Sequence, residues 1–131
     1  MVRKRTAAAF LLALLLCLPA PAADYYFKVN ELQAEVTVRP DAKVEIRYAI
    51  TFTPQAGSHA VDIVDIGMPN EHYDLNSARA AIAGTAISAI RDSEYVKPGV
   101  EVHLGGEEIA PGHTRTLEFS ILVSRLIFAD S

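Results

Sequence analysis

Four histidines and the acids around them are the side chains in this 131-residue chain best suited to chemistry: His59, His72, His103 and His113. None of them forms the H-x-x-x-H or H-E-x-x-H spacing that puts two imidazoles on one metal. His59, Asp62 and Asp65, with Glu71-His72 a few residues on, could meet as a loop-borne metal site. Their spacing fits solvated loop residues better. A serine hydrolase places its nucleophile in a sharp G-x-S-x-G turn, with an acid and a histidine to follow. Gly57-Ser58-His59 comes nearest and lacks that frame. Asp62 and Asp65 stand three apart on a strand candidate, so they face opposite sides and make a poor carboxylate pair. Glu107-Glu108 sits in a turn, where acids are ordinary. His103 alternates outward on a strand and reads as surface. The sequence has no glycine-rich phosphate cradle, no calcium loop and no N-x-S/T sequon. We therefore expect no enzyme, with no catalytic, cofactor-binding or metal-ligating residues and no cofactor. Tyr73 and Tyr95 flank loops and could line a binding surface, whereas Tyr48 belongs to the core by parity.

The elements that must position these residues read as strands. Leu32, Ala34, Val36 and Val38 alternate with Gln33, Glu35, Thr37 and Arg39, the pattern of a half-buried strand. Upstream, Phe27 and Val29 carry the opposite parity, which predicts a bulge near Asn30-Glu31. Arg39-Pro40-Asp41-Ala42-Lys43 is a turn: proline presets the first corner and aspartate can bond its own backbone. Val44, Ile46, Tyr48, Ile50 and Phe52 then form one face of the hairpin partner. Further strands are expected over Val61–Ile66, Val100–Leu104 and Arg115–Val123. Residues 75–91 admit two readings. Their alanines and the stripe Ala78, Ile82, Ala86 favour a helix. Gly84 in the middle costs a helix about 1 kcal/mol, while a hairpin turn uses it well. We favour two strands that turn at Gly84. The fold class expected is all-β: an antiparallel β-sandwich of immunoglobulin-like size, with about seven short strands.

The first residues differ in kind from the rest. Arg3, Lys4 and Arg5 precede an apolar run from Ala7 to Leu18, and Ala20-Pro21-Ala22-Ala23 follows. That is the layout of a secretory signal peptide over residues 1–22, cut after Ala22 or Ala23. A helix over the run covers roughly 18 Å, short of the about 30 Å hydrocarbon core. Cys17 is the one cysteine, and Leu16 before it does not suit lipidation. Residues 23–131 then form one β-domain without thiols, so disulfides, thiolate catalysis and cysteine-bound zinc are excluded from it. The whole chain has 12 basic and 16 acidic residues. Losing three cations with the leader leaves 9 against 16, a net charge of −7. Such a surface repels phosphate backbones, so no nucleic-acid partner is expected.

Several phrases together resemble one family. Val36-Thr37-Val38-Arg39-Pro40-Asp41-Ala42-Lys43-Val44-Glu45-Ile46 is similar to a V-x-V-x-x-D-G-x-x-x-V hairpin. Asp65-Ile66-Gly67-Met68-Pro69-Asn70, Pro98-Gly99-Val100-Glu101-Val102-His103-Leu104-Gly105 and Ile109-Ala110-Pro111-Gly112 extend the likeness. The chain thus resembles the N-terminal extracytoplasmic β-domain of bacterial predicted membrane proteins of unknown function, over most of residues 29–130. Ala42 departs from the pattern, which prefers glycine there. The resemblance implies an exported β-domain and brings no catalytic residues with it.

The leading functional expectation is a non-enzymatic extracytoplasmic domain of a bacterial membrane-associated or cell-envelope protein, in a binding or scaffolding role. Ile127-Phe128-Ala129-Asp130-Ser131 ends abruptly after an apolar run, so we expect a longer chain tethered to the membrane through a C-terminal segment. The alternative is a free secreted module binding a peptide or a glycan. A third reading, with the fewest observations behind it, is a metal-dependent hydrolase using His59, Asp62 and His72. The protein or glycan partner is not specified by any motif.

Overall fold

The computed structural model describes residues 26–128, and the signal-peptide reading of residues 1–22 lies outside them. The described residues are all-β apart from one short 3-10 turn at Gly105–Glu107. Eight strands run in chain order: β1 (Phe27–Val38), β2 (Val44–Pro54), β3 (Ile63–Gly67), β4 (Tyr73–Ile82), β5 (Thr85–Ile87), β6 (Ile90–Asp92), β7 (Gly99–His103) and β8 (Arg115–Val123). The sequence pattern predicts about seven short strands. Residues 85–92 split into two three-residue strands, and β1 and β2 are long, at 12 and 11 residues.

All pairings are antiparallel. A five-stranded sheet has the order β1-β2-β8-β4-β5, and a three-stranded sheet the order β3-β7-β6. One hydrophobic cluster draws on both. Val44, Ile46, Phe52, Ile82, Leu117, Phe119, Ile121 and Val123 come from the larger sheet, and Val64, Ile66, Val100 and Val102 from the smaller. Alternate residues of each strand supply this cluster, as the period of two requires.

Local chemistry explains the joints. At the β1–β2 turn, Arg39 donates its N–H to the Lys43 carbonyl at 2.8 Å, and Ala42 donates to Arg39 at 3.0 Å. Asp41 Oδ1 accepts the Lys43 N–H, the local bond expected of an aspartate there. Ala42 has φ +62°, the left-handed conformation that glycine adopts without penalty. Between Val29 and Glu31 the β1–β2 register slips by one residue, so the bulge predicted by parity falls at Asn30. Residues 75–91 are β structure. Ala83 and Gly84, with φ +50° and +80°, form the two-residue turn joining β4 to β5. Ala78, Ala80 and Ile82 are buried on one face of β4, so the alanines that favour a helix in sequence serve as small core residues of a strand.

One strand departs from its expected environment. β1 reads in sequence as half-buried, yet all twelve of its residues are exposed. Its apolar side chains do point the same way as the core face of β2, since Leu32 pairs with Ile50, Val36 with Ile46 and Val38 with Val44. The three-stranded sheet is narrower than the five-stranded one, and no described strand lies over β1.

Candidate functional site

The exposed face of β1 opens into a groove of about 830 Å³. Its floor is Val29, Leu32, Tyr48 and Ile50, and its far wall is β3. Leu32 is 59% exposed and Val29 46%, so the floor is apolar and wet. The volume falls within the range of ligand-binding clefts.

The wall has a second property, set by the hydrogen-bond phase of β3. In an antiparallel ladder, alternate residues turn both backbone polar groups toward the same neighbour. Leu104 donates to the Asp62 carbonyl at 2.7 Å, and Met68 donates to Pro98 at 2.9 Å. Even-numbered residues of this stretch therefore bond toward β7. The N–H and C=O groups of Ile63, Asp65 and Gly67 point the other way, at the groove, and among the described residues β3 has no second strand neighbour. The groove thus combines an apolar floor with a row of backbone donors and acceptors that no described strand pairs. Val64 and Ile66 are buried beneath that edge, and Ile63 and Asp65 are exposed above it. Tyr95, 84% exposed, stands at the mouth.

A separate polar cluster lies on the outer side of the three-stranded sheet. Glu101 on β7 is buried, its side chain only 4% exposed. Its Oε1 receives Arg91 Nε from β6 and His103 Nε2 at 2.8 Å from its own strand. Arg91 and Glu101 are register partners, and Asp65 opposes Glu101 from β3. Ser93 closes the cluster. Its hydroxyl donates to Asp65 Oδ1 and accepts the N–H groups of Tyr95 and Val96 at 3.1 and 2.9 Å. The hydrogen bonds from His103 and Arg91 pull the Glu101 carboxyl down to about 2. A buried acid that accepts from both Arg91 and His103 is well satisfied, and such a group holds strands in register more readily than it does chemistry. Tyr73 has a similar structural role. It donates to Asp92 at 2.6 Å and to the Gly99 carbonyl at 3.2 Å, and the bond to Asp92 pushes the phenol up to about 12.

The histidines and acids singled out in the sequence do not converge. His59 follows the loop beyond the end of β2, whereas the His72 carbonyl accepts a bond from Ser124, just past the strand end that opposes the start of β2. His72 Nε2 lies 3.3 Å from Arg125 Nη1. Among the described residues, no three His, Cys, Asp or Glu side chains group as a metal site. The Ser58 hydroxyl donates to the carbonyl of His59 next to it, at 3.1 Å. Asp62 and Asp65 are both exposed and both border the groove. Of the tyrosines, Tyr95 and Tyr48 line the groove, and Tyr73 turns inward to Asp92. Comparison with family models, curated proteins and solved structures finds no match. Among the described residues, no helix is long and apolar enough to cross a membrane.

Sequence reasoning missed two features. Glu101 alternates with the apolar Val100 and Val102, a pattern that predicts an outward side chain, and the β6–β7 register with the Ser93–Val96 turn buries it. The groove left no signal because β1 and β8 carry the same alternation. An unusual length of 12 residues, beyond the usual five or six of a strand, was the one hint that β1 outruns its cover.

Proposed function

We propose that residues 23–131 form an extracytoplasmic, non-catalytic β-sandwich domain of a bacterial membrane-associated or cell-envelope protein, and that its work is binding or scaffolding. The groove between β1 and β3 carries the binding part of this reading: an exposed apolar face beside unpaired backbone groups is a recognition surface, not a reaction centre. The export part rests on the cationic start, the short apolar run and the Ala20-Pro21-Ala22 segment. The resemblance to the N-terminal β-domain of bacterial membrane proteins supports the same location. The alternative of a free secreted module has one observation on its side. The free edge of β3 suits a peptide backbone better than a glycan, because its donors and acceptors are spaced as in a strand.

Expression of the whole chain in a bacterium, with fractionation and N-terminal sequencing of the product, tests export. A product in the envelope or periplasmic fraction beginning at Ala23 or Asp24 is expected. A cytoplasmic product beginning at Met1 overturns the reading.

A further inference from the structure

The groove has the shape of an absent strand. One wall offers the N–H and C=O groups of Ile63, Asp65 and Gly67. The floor offers apolar side chains on β1 and β2 that pair in register, Val29 with Phe52 and Leu32 with Ile50. A strand added to β3 would be the fourth of the smaller sheet, lying over β1 as β3, β7 and β6 lie over the rest of the shared core. We propose that this slot takes an extended segment of another protein, with apolar residues at alternate positions and a Lys or Arg opposite Asp65. The proposal deepens the binding role argued above and rests on it.

The pattern of the guest follows from strand geometry. Residues opposite Val64 and Ile66 share their direction, toward the floor, and must be apolar to cover Leu32 and Val29. The residue opposite Asp65 points outward beside that carboxylate. Ser93 occupies Asp65 Oδ1, and the side chain remains exposed. Asp62, also exposed, adds a second acid at the rim, and the mature domain has an excess of acids throughout. Opposite charges on facing strand positions attract, and like charges repel. The rim therefore selects a cationic guest over an acidic one. Backbone bonds supply affinity without regard to sequence, and the floor and the acids supply the preference.

The test uses protein purified from cells expressing the full chain, with its N-terminus sequenced, so that a failure of export is read separately from a failure of the slot. The probe is an acetylated, amidated peptide of about nine residues, long enough to span β3, alternating Val and Lys. Isotope-labelled protein is titrated and followed by amide hydrogen exchange. We expect saturable binding that slows exchange at Ile63, Asp65 and Gly67. Replacing the peptide's Lys by Glu should weaken binding about tenfold. Methylating the backbone nitrogens that face β3 should abolish it. The exposed-residue variants Leu32→Lys and Asp62→Lys keep the fold measurable and should each weaken the Val–Lys peptide several-fold, whereas Asp65→Lys should weaken it most. Equal binding of the Lys and Glu peptides, or binding of the methylated one, overturns the proposal. So does slow exchange at these amides without peptide: if it grows with protein concentration, the occupant is a second copy. If it appears only in uncleaved chain, the occupant is the protein's own leader.

Discussion

β1 and β8 share a sheet and a sequence pattern and end in opposite environments. Leu117, Phe119 and Ile121 on β8 are 0–2% exposed, whereas Leu32, Val36 and Val38 on β1 are 57–63% exposed. Both strands alternate apolar and polar residues, and both project the apolar set to the same side of the five-stranded sheet through β2. The difference is what stands opposite. β8 is central, with partners on both sides, and its apolar face joins the cluster shared with β3 and β7. β1 is an edge strand beyond the width of the three-stranded sheet. Amphipathicity states which face could be buried, and the second sheet decides whether it is. A long edge strand with an exposed apolar face is a hazard for a free protein and an asset for a binding one.

This contrast can be broken most directly by truncation. Phe119→Ala should destabilise the domain by about 3–5 kcal/mol, the range for large-to-small changes in a closed core, as read by urea denaturation. A loss no greater than that of a β1 variant would erase the distinction. The outer cluster offers the next largest effect, and its sign can be worked out. The folded chain holds the Glu101 carboxyl at about 2, against an ordinary value of 4.5, so folding favours the ionised form. That contribution is complete above about pH 4.5 and is lost as pH falls toward 2. Glu101→Gln should therefore lower stability at neutral pH and flatten the acid limb of the melting curve relative to the parent. An acid limb unchanged in the variant would remove Glu101 from the account. At the β1–β2 turn, Ala42→Gly should raise stability by about 1 kcal/mol, since an alanine at φ +62° carries a left-handed penalty larger than the entropy glycine adds. Thermal denaturation checks it, and a loss of stability would mean that the turn relaxes some other way. The smallest effect belongs to β1. Val36→Lys should change stability by less than about 0.5 kcal/mol, as exposed positions do, while reducing binding of a hydrophobic dye. A cost of several kcal/mol would show that β1 is covered after all.

Much of the fold was legible from periodicity and turn chemistry. β2 and β8 fall where alternation put them, and the parity switch between Val29 and Leu32 marks the bulge. Gly84 decided between hairpin and helix because a two-residue turn needs positive φ, which Ala83 and Gly84 both adopt. The site was far less legible. In the sequence, Asp62, Asp65 and Tyr95 stand out only by side-chain type, as candidate metal ligands or as a surface aromatic. The structure makes them the rim of a groove, a role that depends on the β3 edge and the exposed floor rather than on their chemistry. Glu101 gave no sign, because burial on the outer side of a sheet comes from Arg91 on a neighbouring strand and from a turn several residues away.

The class of structure is written in local and compositional facts: short-range alternation, glycine and proline turns and the absence of thiols beyond Cys17 point to an all-β chain without disulfides. Which apolar face is uncovered and which backbone edge is unpaired among the described residues, and which acid is buried, are set by packing in three dimensions. Those outcomes depend on the relative widths of two sheets and on the registers between strands far apart in the chain. Residues such as Leu32 and Leu117 obey the same local rule, so only their neighbours in space can tell them apart.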